Sequence, residues 1–365
     1  GCHGLGGRFM VSAGWYAMDA GADVAFGPVF TLYSLSVAFF MPTIGLSNSV
    51  AYTALGKAGL DTVKHFPPIR VFGTVGFIVA MLVTNFAGFQ DNCQQLFFSG
   101  AMSIVMALYS LTMPACPTSG ASKQSGLAEA LGLKAFALFK NKQMAIFFVF
   151  SMLLGVSLQI TNGFANPFIS CFAQIKEYAD SWGANNANAL ISLSQMSEAL
   201  CILLIPFFLK RYGIKTVMLM AMFAWVLRFG FFGIGNPGSG VWLLILSMIV
   251  YGVAFDFFNV SGSLYVDQQT DKDLRSSAQG LFMLMTNGIG ATIGTLSAQA
   301  VVDHFVNSQP QGTMAMVDGW SHAWLVFAGY ALVVAVLFWI VFKNPKTPAD
   351  AEKVKRSENN IPAAD

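Results

Sequence analysis

MAIFFVFSMLLGVSLQITNGFANPFIS, residues 144–170, contains no charged side chain. At about 1.5 Å of rise per residue, a helix of this length crosses the ~30 Å hydrocarbon layer of a bilayer. A spanning helix satisfies all its backbone donors and acceptors internally, so a long apolar run is the signature to look for. Similar runs lie on both sides of this one. Full-length runs fall near 27–54, 69–89, 95–114, 186–209, 215–235, 240–265, 275–302 and 320–342, and a partial run covers 1–18.

The composition agrees. Of 365 residues, 55% are hydrophobic and only 10% charged, whereas soluble domains carry about 25% charge. With 34 Phe and 18 Met, and a mean hydropathy of +0.60, a disordered chain, a nucleic-acid binder and most cytosolic enzymes are excluded. The five cysteines, Cys2, Cys93, Cys116, Cys171 and Cys201, form no C-x-x-C pair and have no histidine at ligand spacing. They read as small apolar fillers rather than a zinc site or a disulfide framework. The chain starts at Gly1 without a charged segment, apolar core and cleavage site, so no signal peptide is expected and the start looks arbitrary.

Basic residues set the expected orientation. If 55–68, 115–143, 210–215, 266–275 and the tail from Lys343 share one side, that side holds sixteen Lys and Arg and the other only Lys176. By the positive-inside rule the crowded side is cytoplasmic and so is the C-terminus. Arg8, Arg70 and Arg228 remain inside or at the edge of apolar runs.

The polar connection from Cys116 to Lys142 divides the chain. Its Leu127, Leu131, Phe136, Leu138 and Phe139, interleaved with Lys134, Lys140 and Lys142, suit a helix lying on the membrane surface. The expected domains are an amino-terminal helical bundle over 1–114, this linker over 115–143, a six-helix bundle over 144–343 and a cytoplasmic tail over 344–365. Many transporters consist of two six-span halves with the substrate between them. On that template ten of twelve spans are visible, the first of them partial, and the amino-terminal half lacks its first two and the start of its third.

Polar groups inside the runs mark where chemistry belongs, because an ionised side chain at mid-membrane costs roughly 2.5–3.5 kcal/mol on insertion scales. Glu198 lies three residues after Gln195; Asp256 follows Phe255, which is four after Tyr251; Gln159 and Asn162 are three apart; Arg70, Thr74 and Phe77 stand at i, i+4 and i+7. Each set shares a helical face. The amides and Thr74 could simply bond helix to helix. Glu198 and Asp256 are read as functional, since isolated intramembrane carboxylates mark ion or proton paths. Arg228 is either the counter-ion of one of these acids or part of a structural pair, the structural reading being preferred. Amides, a threonine, an arginine and aromatic rings suit a neutral, flat, hydrogen-bonding ligand. A sugar fits that description too.

Other features are bland. Gly290-x-x-x-Gly294, beside Gly288, lies within an apolar span and reads as a helix-packing contact, not a dinucleotide loop. The sequon Asn259-Val-Ser261 is buried in a span, and His65, His304 and His322 lie in loops or at span ends. No catalytic residue, metal ligand or cofactor site is expected.

Six segments resemble the nucleoside:proton symporter family, the bacterial nucleoside permeases of the major facilitator superfamily. They are HFPPIRVFGTVGFI (65–78), FALFKNKQMAIFFVFSMLLG (136–155), LQITN (158–162), SQMSEAL (194–200), PFFLKRYGIK (206–215) and SMIVYGVAFDFFNVSGS (247–263). The resemblance covers essentially the whole chain, and LKRYGIK (209–215) looks like a degenerate copy of the superfamily's basic loop within one half. It implies an all-α bundle of that superfamily in the bacterial inner membrane, acting as a monomer and taking up nucleosides with protons by alternating access. It also implies substrate-binding positions at Arg70, Thr74, Phe77, Gln159, Asn162, Gln195, Glu198, Tyr251, Phe255 and Asp256, with Asp256 or Glu198 as the proton-responsive group. A carrier of sugars or other small solutes, and a non-transporting fragment or receptor, are the alternatives.

Overall fold

A computed structural model describes residues 1–89, 92–113, 133–271 and 274–343. Among these residues every regular element is a helix. The main helices are α1 (Cys2–Ala20), α2 (Phe26–Lys57), α3 (Thr62–Phe86), α4 (Gln94–Tyr109), α5 (Lys142–Cys171), α6 (Ala187–Ile234), α7 (Val241–Gln269), α8 (Arg275–Asn307) and α9 (Met314–Val341).

Local sequence explains the boundaries that matter for the site. Asn141 caps α5, its side-chain oxygen accepting from the backbone N–H of Gln143 at 2.9 Å and of Met144 at 3.4 Å. That satisfies two donors the first helical turn leaves free. The 48 residues of α6 leave helical geometry at Gly213 (φ 76°), a backbone region a residue without Cβ enters cheaply. Two limbs result, with Lys210, Arg211 and Lys215 clustered at the break. Lys215 Nζ donates to the Trp339 carbonyl at 3.0 Å, tying that break to the end of α9.

Seven helices among the described residues are long and apolar enough to cross a membrane. The ten spans expected above differ from that number for visible reasons. The two limbs of α6, 48 residues together, are taken as one across the break at Gly213, the apolar stretch of α3 shortens to Pro68–Thr84, and α1 carries Arg8, Ser12 and several glycines. The linker's Leu127 and Leu131, with Cys116 and Lys123, lie outside the described residues, as do Lys272 and the tail 344–365. The described part of the linker, Leu133–Lys140, winds as a 3-10 helix, with Phe139 packed on Phe148 at 5.3 Å between ring centroids.

The core lies in α5 to α9 and is rich in aromatic side chains. Phe147 packs with Phe258, Tyr265 and Phe282, and Phe168 and Phe232 both pack on Trp324. Glycines let the helices approach closely. A Cβ on Gly155 or Gly290 would collide with the facing backbone of Thr286 or Met152, and one on Gly294 would lie 2.9 Å from Val156, so the expected packing role of Gly290 and Gly294 is what the structure shows. Over Leu284–Gly290, α8 widens into a π-helical segment. Cys171 and Cys201 are buried and Cys2 and Cys93 more accessible, all four as free thiols.

Helices α1, α2 and α4 pack together, and α3 lies against α6. Many of their apolar side chains face outward, as Phe72 does at 79% exposure, which is how a lipid-facing surface is composed. The amino-terminal helices also meet the rest where α2 touches the start of α8.

Candidate functional site

A close helix crossing builds the site. Gly252 of α7 sits on the backbone of Ser197 in α6, where a Cβ would clash, and Ser197 Oγ donates to the Ile249 carbonyl. Glu198 is the next residue of α6, and Asp256 stands one turn beyond Gly252 on α7. The crossing therefore brings the two intramembrane carboxylates within electrostatic reach of one another.

From the other side α3 supplies Thr74 and Arg70. Thr74 Oγ1 donates to Glu198 Oε1 at 3.0 Å, and both residues are buried, at 2% and 5% exposure. Arg70, one helical turn before Thr74, is within electrostatic reach of both Glu198 and Asp256. Its guanidinium folds along its own helix, 3.0 Å from where a Cβ of Gly73 would stand. Asp256 is 1% exposed and its Oδ2 has no hydrogen-bond partner among the described residues.

Aromatic rings flank the acids. Tyr251 and Phe255 stack at 5.8 Å with 12° between their planes, and the Tyr251 hydroxyl lies against Gln195. Phe255 also borders a small cavity of about 30 Å³ lined by Gly155, Trp225, Asn259 and Asn287, among others.

Seven of the ten positions singled out in the sequence thus meet in one place: Arg70, Thr74, Gln195, Glu198, Tyr251, Phe255 and Asp256. Three stand apart. Phe77 is 54% exposed on α3, Gln159 is half-buried on α5 where that helix meets Gly294, and Asn162 is exposed.

Arg228 belongs to this region but not to an ion pair with the acids. It is 1% exposed, and its guanidinium meets hydroxyls, a carbonyl and rings instead: Thr161, Ser194, Ser247, Tyr251 and Phe232. Sequence reasoning missed this cradle because its members come from three helices. The small hydroxyls Thr161, Ser194 and Ser247 within apolar spans were the available signal.

The cluster gathers a stacked aromatic pair, amide and hydroxyl groups, and two buried acids. Residues 8–347 match the model of a family described as Nucleoside H+ symporter. The chain belongs to that family. It is 53% identical over 317 residues to the xanthosine permease of Escherichia coli (strain K12), covering 87% of this chain and 73% of that protein. It is 48% identical over 305 residues to the nucleoside permease NupG of the same organism, covering 83% and 71%. The crystal structure of nucleoside transporter NupG matches with a TM-score of 0.73 at 43% identity, over 94% of this chain and 84% of that one. Its D323A mutant matches with a TM-score of 0.77.

Proposed function

We propose that this member of the Nucleoside H+ symporter family takes up nucleosides with protons through the site between α3, α6 and α7. Tyr251 and Phe255 stack on the nucleoside rings. Gln195, Gln159, Asn162, Thr74 and Arg70 hydrogen-bond the base and ribose, and Phe77 closes over the ligand when α3 moves. Asp256, supported by Glu198, carries the proton.

The observation that carries this reading is the pairing of two buried carboxylates, one with an unpartnered oxygen, beside a stacked aromatic pair. A buried polar atom without a partner calls for an explanation, and a proton or a ligand hydroxyl provides one. The Thr74 to Glu198 bond joins the amino-terminal helices to the carboxy-terminal ones at the site. Protonation or ligand binding at Glu198 would compete with that bond, which couples occupancy to helix separation and suits alternating access. In this reading the chain contributes ten crossings to a major facilitator bundle of the bacterial inner membrane, with both limbs of α6, α1 and α3 crossing and the C-terminus inside. Residues 1–114 and 144–343 act as the two moving bodies.

Inward movement of one proton at 100 mV supplies about 2.3 kcal/mol, enough to concentrate a neutral solute. Uptake of labelled uridine, adenosine and xanthosine into cells expressing the protein, with sugars as competitors, tests the substrate class. Sugars competing best would overturn it. Asp256→Asn keeps the shape of the side chain but cannot release a proton. It should abolish uphill accumulation while nucleoside exchange down a gradient persists; accumulation at the wild-type level would remove Asp256 from coupling.

A further inference from the structure

Arg228 is the one arginine buried in the core of α5 to α9 among the described residues, and no carboxylate there stands at ion-pair distance from it. A guanidinium placed in an apolar bundle is expensive, so its partners indicate its use. From one side it is held rigidly. Nη1 donates to the Ser247 carbonyl at 2.7 Å, while Ser247 Oγ donates back to the Arg228 carbonyl at 3.0 Å. Weaker contacts at 3.4 Å reach Ser194 Oγ and Thr161 Oγ1.

On the other side its carbon Cζ lies 4.4 Å from the centroid of the Tyr251 ring and 5.0 Å from that of Phe232. Trp225 closes the edge of the Tyr251 ring at 6.0 Å, nearly perpendicular at 87°. Tyr251 is thus fixed by a cation on one face and an indole at its edge, and Phe255 stacks parallel to it.

We infer that Arg228 is a positioning residue for nucleoside binding: anchored by Ser247, it fixes the plane of Tyr251 and, through it, the Tyr251–Phe255 stack on which the ligand ring packs. This rests on the nucleoside reading above, since Tyr251 and Phe255 are its proposed stacking surface. Arg228 itself does not touch the ligand. Its charge acts through the ring face, by the cation–π attraction that favours guanidinium over aromatic rings.

The test separates orientation of the stack from mere helix bonding. Concentration dependence of labelled uridine, adenosine and xanthosine uptake is measured for wild type, Arg228→Met, Arg228→Lys and Phe232→Leu, with the amount of each protein in the membrane measured alongside. R228M should raise KM roughly three- to tenfold while the maximal rate per molecule stays within about twofold. R228K keeps a cation but not the planar guanidinium and should raise KM less than R228M does. F232L removes the other ring against the guanidinium, leaves the cation on Tyr251, and should raise KM less than R228M does.

A purely structural role predicts the opposite split, with less protein and a lower maximal rate at constant KM. Should R228M fail to accumulate, Arg228→Gln, uncharged but polar, takes its place with the same expected KM. A wild-type KM in the uncharged variant, or an equal rise in R228K, overturns the inference. A wild type that transports none of the three nucleosides overturns the nucleoside reading itself, a different result from an active wild type with unaltered variants.

Discussion

Thr74 and Glu198 show how much a single hydroxyl can decide. Glu198 Oε1 accepts from Thr74 Oγ1 at 3.0 Å in a setting where both side chains are buried. Removing one partner leaves the other desolvated and unsatisfied, at a cost of about 1–3 kcal/mol. Thr74→Val, similar in shape, should therefore lower the melting temperature of the detergent-solubilised protein, and Thr74→Ser, which keeps the donor, should recover most of it. A T74V protein that melts with the wild type would mean the bond contributes nothing in solution. Residue-level spacing was legible in the sequence here. Arg70 and Thr74, four apart, do share the face that meets α6, but Phe77, three further on, remains exposed. Spacing fixes a helical face, yet a helix crossing touches only a short length of that face, and Phe77 lies ~10 Å along the axis from Arg70.

At the scale of elements, close helix approach is what makes the site, and glycine is what permits it. Gly155 sits on the backbone of Thr286, at the π-helical part of α8, whereas Gly163, two turns further along α5, has nothing within 4 Å of where a Cβ would stand. Gly155→Ala should push α5 from α8 and reduce both folded yield and thermal stability. Gly163→Ala should be neutral or stabilising by up to ~1 kcal/mol, because alanine is the better helix former. Equal behaviour of the two would show that the α5 to α8 contact yields freely. The apolar runs revealed these helices because a bilayer demands ~20 uninterrupted apolar residues. They did not reveal the π-helical segment, nor the Arg228 cradle of Thr161, Ser194 and Ser247. Those depend on which faces of three separate helices come together, and hydropathy along one helix carries no such information.

Across the whole molecule the distribution of charge makes the strongest claim on topology. Lys and Arg gather at the turns assigned to one side, including Lys140, Lys142, Lys210, Arg211 and Lys343, while Lys176 stands alone on the other. Such asymmetry sets orientation during insertion, because basic residues are retained on the cytoplasmic face. The contact between Lys215 and the Trp339 carbonyl, and that between the Gln143 amide and the Lys343 carbonyl at 2.9 Å, place the α6 break, the start of α5 and the end of α9 at one end of the bundle. On the proposed topology those groups share a side of the membrane, and Lys176, beyond the opposite end of α5, lies on the other. Single cysteines introduced at Lys176 and at Lys343, in a protein whose native cysteines are replaced by serine, test this directly. An impermeant maleimide applied to intact spheroplasts should label K176C, and should label K343C only after the membrane is opened. Labelling of K343C from outside would invert the molecule, and with it the direction in which the site between α3, α6 and α7 must open to deliver a nucleoside to the cell.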